Sequence, residues 1–128
     1  ILENIYSAPI LEKINIKSLM DKKEESCLYL REFIRDNPNK RFCIFALSEF
    51  DKEYLSTLKD EIINTAELKK INNLDFILDN NKLEKFTTAN ERLLIVSLKN
   101  ADLSKIQEFN QRLQSYNIDI SGLLFPIL

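Results

Sequence analysis

"RFCIFALSEFDKEYLSTL", residues 41–58, decides the fold. Its first part, "RFCIFAL", is an apolar run without alternation. A strand covered on both faces reads this way, and such strands belong to parallel sheets. A few polar residues follow. Then Leu55 and Leu58, continued by Ile62 and Ala66, recur at helical spacing in a helix expected from about Asp51 to Ile71. Strand, short turn and helix form the first half of a βαβ unit. In many α/β proteins the same junction holds a phosphate.

Downstream the pattern repeats. "LDFIL" (74–78) reads as a second strand and "KLEKFTTANE" as a short helix or loop. "RLLIVSL" (92–98) is a third, continuously apolar strand. "ADLSKIQEFNQRLQSYN" is an amphipathic helix with Leu103, Ile106, Phe109 or Asn110, Leu113 and Tyr116 in register. "ISGLLFPIL" (120–128) is a fourth strand, and Gly122 inside it marks a close backbone approach or a bulge.

Upstream, "SAPILEKINI" (7–16) is an edge strand or an extended arm, because Pro9 argues against a central strand. The next stretch, "SLMDKKEESCLYLREFIRDNPNK", carries Leu30, Phe33 and Ile34, with Cys27 one turn earlier, as an apolar helical stripe. Asp21, Glu24 and Glu25 then fall in the first turns of that helix, where carboxylates favour the helix dipole. Pro38 stops it, since the residue before a proline avoids helix.

Strands alternating with helices predict an α/β fold: a three-layer, mainly parallel sheet of four to five strands with helices on both faces. The expected sheet is Rossmann-like. The 128 residues suit one domain, with an N-terminal arm at 1–19 and a helix plus α/β core at 20–128. There is no internal repeat.

Composition excludes several functions. The formal net charge of -2 gives no basic excess to track a nucleic-acid backbone. No His is present, so the common catalytic triads and zinc sites are ruled out. Cys27 and Cys43 have no metal-type spacing and read as small core residues. Tyr6, Tyr29, Tyr54 and Tyr116 are dispersed rather than clustered; the last three fit helix faces, and Tyr6 would mark a docking arm. No apolar run approaches the ~20 residues of a membrane span. The expectation is a soluble, cytoplasmic chain. It begins with Ile, which fits a fragment of something longer, and any membrane segment is expected outside it.

The first strand–helix junction is a poor phosphate loop. Such a loop needs glycines, so that the backbone turns tightly and aims N–H groups inward, and a Lys followed by Ser or Thr. "SEFDKEYLST" has no Gly, and Lys52 is followed by Glu53. Glu49, Asp51 and Glu53 place three carboxylates around the helix entrance. A carboxylate ~4 Å from a phosphate oxygen costs about 1 kcal/mol in water and about 4 at an effective dielectric near 20. A helix N-terminus offers an anion only about 0.3–1 kcal/mol. Ser48 and Asp51 instead have the spacing of a capping box, with Asp51 reaching back to Ser48. Asp79 stands at a strand end, where an aspartate could hold Mg²⁺, but with no phosphate loop opposite it reads as a turn residue.

The order of segments resembles the cytoplasmic domain of bacterial tyrosine kinases and of the chain-length or export proteins of surface polysaccharides, which are phosphate-loop ATPases. "IYSAPILEKINI" is similar to the family's lead-in arm. "LYLREFIRDNPNKRFCIFALSE" is similar to its helix, turn and first strand. "ERLLIVSLKNADLSKIQEFNQRLQSYNIDISGLLFPIL" is similar to its closing strand–helix–strand unit, with Ser121, Gly122 and Leu123 at the final strand. The departures are equally specific. The phosphate-loop position has lost its glycines, and only Lys52 and Ser56 or Thr57 keep the original residue types, at the wrong spacing. No second Asp follows Asp79 in the family's pattern.

The resemblance therefore implies a degenerate, non-catalytic, kinase-like domain that works through a protein partner or self-association. It implies no catalytic, cofactor-binding or metal-ligating residues and no cofactor. It also implies a cytoplasmic place, as part of an inner-membrane protein, with no insertion by this chain. A competing reading is a receiver-like or other small ligand-binding module. There Asp79 would be a phosphoacceptor, Glu49 and Asp51 its acidic pair, and Ser97 and Lys99 the accessory residues. A third reading is an interaction domain outside both families.

Overall fold

The computed structural model describes residues 8–21, 27–63, 74–78, 83–97 and 103–127. The element order is β1 (Ile10–Asn15), α1 (Ile16–Met20), α2 (Leu28–Arg35), β2 (Phe42–Ala46), α3 (Glu49–Ile63), β3 (Leu74–Ile77), α4 (Leu83–Thr88), β4 (Glu91–Ile95), α5 (Leu103–Ser115) and β5 (Gly122–Ile127). The strands form one five-stranded sheet in the order β1-β5-β4-β2-β3. Every neighbouring pair is parallel. The expected three-layer α/β architecture is present.

The unbroken apolar runs have the cause inferred from sequence. All five residues of β2 are buried, because successive side chains enter opposite layers. Phe42, Ile44 and Ala46 join one core with Ile16, Leu19, Leu30, Ile34, Leu55, Leu58 and Ile62, so α1, α2 and α3 cover that face. Cys43 and Phe45 join the other core with Phe86 and Leu113, so α4 and α5 cover the opposite face. Leu93 and Leu94 divide between the two cores in the same way.

Of the two alternatives for 7–16, Ile10–Asn15 form an edge strand. β1 pairs in parallel with β5, and its register shifts between Ile10 and Glu12. Gly122 lies against that irregularity. A Cβ there would stand 3.3 Å from Leu11 Cβ and 3.4 Å from Leu93 Cδ2, so the close approach read from sequence is real.

The helix expected through "SLMDKKEESCLYLREFIRD" is corrected. It is two helices, α1 and α2. Between Met20 and Cys27 the chain offers no apolar side chain, so a continuous helix would have nothing to bury there. Cys27 has φ 50° and precedes α2. Asp21 is therefore the C-cap of α1 and not a first-turn residue. Glu24 and Glu25 lie outside the described residues, as does the expected extension of α3 through Ala66 to Ile71.

The N-terminus of α2 takes its carboxylate from another element. Glu12 on β1 accepts from the N–H of Tyr29 at 3.0 Å and of Leu30 at 3.2 Å. Burial raises the Glu12 carboxyl above its usual range, against the opposing pull of those two N–H groups and of Arg31. At the lower edge of the sheet, Lys40 pairs with Glu91 at 2.8 Å. Burial alone would raise Glu91, but hydrogen bonds from Lys40 and Ser121 and the charges of Lys40 and Arg92 together hold it below its usual range.

Among the described residues no helix is long and apolar enough to cross a membrane.

Candidate functional site

Strand order places the candidate site. From β2 the chain moves outward to β3, then returns across β2 to β4 and proceeds to β5 on the other side. The order therefore reverses between β2 and β4. In open α/β sheets a ligand normally occupies the crevice beyond the carboxyl ends of the strands at such a reversal. The residues after β2 and β4 are the ones that matter.

Ser48 caps α3: its Oγ accepts from the N–H of Asp51 at 3.0 Å. Its carbonyl accepts from the N–H of Lys52 at 2.9 Å, the first turn of the helix. This half of the expected capping box is present. The other half is corrected, because the Asp51 carboxylate does not turn back to Ser48. It crosses the crevice to the end of β4. Oδ1 accepts from Ser97 Oγ at 2.8 Å, and Oδ2 accepts from the Ser97 N–H at 3.4 Å. Asp51 is 3% exposed and Ser97 5% exposed. They are the only buried polar or charged residues among those described.

The rest of the entrance is also engaged internally. Lys52 Nζ pairs with Glu49 Oε1 at 3.0 Å on the outer side of the first turn. Thr57 Oγ1 donates to the Glu53 carbonyl at 3.1 Å, well inside the helix. None of the three residue types that echo a phosphate loop meets at one point. Chemically, the crevice holds a desolvated carboxylate whose acceptor capacity faces a serine hydroxyl and its N–H. An incoming phosphate would meet that negative charge at close range.

The residues of the receiver-like reading divide. Asp51 and Ser97 are brought together, whereas Glu49 faces outward to Lys52. Asp79 and Lys99 lie outside the described residues, and so does Tyr6. β3 is an edge strand and pairs only with β2, so its end is not part of the β2–β4 crevice. Among the described residues no group of three His, Cys, Asp or Glu side chains is placed to hold a metal. Both thiols are buried in apolar surroundings. Burial pushes Cys27 up to about 11 and Cys43 up to about 12, so neither is a thiolate near neutral pH.

Sequence reasoning missed two features. The Asp51–Ser97 contact joins residues 46 apart, and no local spacing reports it. Tyr116 was placed on the apolar stripe of α5, yet it is 69% exposed. It stands past the helix end, where Asn117 adopts φ 55° and the chain turns away. Tyr116 instead lines a cleft of about 240 Å³ with Phe86, Phe109, Arg112, Leu113 and Ile118.

No protein-family model, curated protein or solved structure matches this chain.

Proposed function

We propose that this chain is a non-catalytic, kinase-like α/β domain of a surface-polysaccharide chain-length or export protein, and that it acts by binding another protein. The segment order of the sequence motivates the family. One observation carries the non-catalytic half: the buried Asp51 carboxylate bonded to Ser97 at the reversal of strand order. A nucleotide site in this architecture needs that crevice open, with glycine N–H groups aimed into it. Here the crevice is spanned by the chain's own side chains. The domain's place is the cytoplasmic side of an inner membrane, with its partner a second copy or a component of the same export assembly.

Calorimetric titration with ATP and Mg²⁺ tests this reading. The expected result is no saturable heat. Micromolar affinity would overturn it.

The receiver-like reading keeps one supporting observation, the meeting of an acidic residue and a serine at the reversal of strand order. Labelling by acetyl phosphate that is lost in Asp79→Asn would favour it, and an unlabelled wild type would eliminate it.

A further inference from the structure

The cleft beneath α5 lies on the opposite face of the sheet from α3. Its floor is aromatic. Phe45 and Phe86 meet edge to face with centroids 4.4 Å apart, and Phe109 closes the group at 5.5 Å from Phe45 and 6.2 Å from Phe86. Leu113 and Ile118 form the remaining apolar wall.

The walls are fixed by two devices. The first is the end of α5. The Asn117 N–H donates to the Gln114 carbonyl at 3.1 Å, and the Ile118 N–H donates to the Leu113 carbonyl at 2.9 Å. This is the helix-ending pattern in which a residue with positive φ is followed by an apolar residue that folds back. It seats Ile118 and Leu113 in the same core and leaves Tyr116 at the rim. The second device is Arg92. It donates to the carbonyls of Phe86 at 2.7 Å, Thr87 at 3.2 Å and Asp119 at 3.4 Å, with its guanidinium 5.7 Å from the Phe86 ring centre. It thereby ties α4 to the loop before β5.

Among the described residues that line the cleft, Arg112 is the one charged side chain. Arg112 is exposed on α5, and none of the ion pairs among the described residues involves it. Arg92 spends its donors on neutral carbonyls, so its charge also contributes positive potential behind Phe86. A concave apolar floor with a few polar groups at its rim is how small-molecule sites are built, and this one, at about 240 Å³, falls just below their usual range of about 300–1,000 Å³. The guanidinium fork suits a carboxylate in two-point contact. One cation among the described lining residues matches a monoanion better than a phosphate dianion.

We infer that this cleft binds a small amphipathic carboxylate, with an aromatic or branched apolar body on Phe86, Phe109, Leu113 and Ile118 and its carboxylate on Arg112 beside the Tyr116 hydroxyl. The inference is independent of the functional reading above, because the cleft and the strand-end crevice share no residue.

Titration of the ¹⁵N-labelled chain with phenylbutyrate, phenylbutanol and phenyl phosphate tests it. Phenylbutyrate is expected to give saturable shifts confined to the amides of residues 86, 109, 113, 116 and 118, in the millimolar range or tighter. Arg112→Gln is expected to weaken the acid about three- to fivefold and leave the alcohol unchanged. Tyr116→Ala, also at an exposed position, is expected to weaken both compounds. Scattered shifts, or equal loss of acid and alcohol in Arg112→Gln, would overturn the inference. Tighter binding of phenyl phosphate would overturn the choice of a carboxylate. Shifts of the same amides with protein concentration alone would assign the cleft to a second copy and overturn it as well.

Discussion

At the scale of single residues, the account turns on Asp51. A buried carboxylate is tolerated only when hydrogen-bonded, and Ser97 supplies both donors. Ser97→Ala removes the hydroxyl and leaves the charge under-satisfied. Its expected cost is about 1–3 kcal/mol in urea unfolding. The pairing was not legible in sequence. Asp51 was read as a local cap because Ser48 sits three residues away, and Ser97 stood out only as an accessory residue of a different site. Titration at Glu91 gives a second expectation. Its folded pKa is lowered, so its stabilisation is present above the unfolded value of about 4.3 and is lost as pH falls through the folded value. Glu91→Gln should therefore be less stable than wild type near neutrality, and the gap should close in acid, read from urea midpoints across that range. Glu12 runs the other way. Its folded pKa is raised, so the pH-dependent part of its contribution is fully present below the unfolded value and fades as pH rises through the folded one, while the hydrogen bonds it accepts from α2 are a separate contribution.

At the scale of elements, the strands were legible and the helix ends were not. Runs such as "RFCIFAL" and "RLLIVSL" are apolar on both faces, which only a covered strand in a parallel sheet requires. The division of the N-terminal predicted helix into α1 and α2 was hidden, because the stripe of Cys27, Leu30 and Ile34 has helical spacing but does not mark where its helix begins. What sets the start of α2 is Glu12, 17 residues from Tyr29. Glu12→Ala should cost about 1 kcal/mol, the usual worth of an N-cap, and should speed amide exchange in α2 while leaving α3 unchanged. The end of α5 is set by Asn117 at φ 55°. Asn117→Ala should destabilise by about 1–2 kcal/mol, whereas Asn117→Gly should be neutral or better, both measured by thermal unfolding. Tyr116 was misplaced for the same reason: its spacing continues the stripe, but the backbone leaves the helix first.

At the scale of the whole molecule, the fold is an open parallel sheet with a helical layer on each face. The reversal of strand order between β2 and β4 follows from topology, and alternating segments in the sequence do not specify it. The sequence did show that the junction after β2 lacks the glycines of a phosphate loop. The structure adds what stands there instead, a carboxylate and a hydroxyl joined across the crevice. The other face of the same sheet carries the cleft beneath α5. The most direct measurement is a titration of the ¹⁵N-labelled chain with Mg²⁺ and ATP, observed at the amides of Ser48, Asp51 and Ser97. The account predicts that these resonances stay in place up to millimolar nucleotide. Saturable shifts at those three amides in the micromolar range would contradict it.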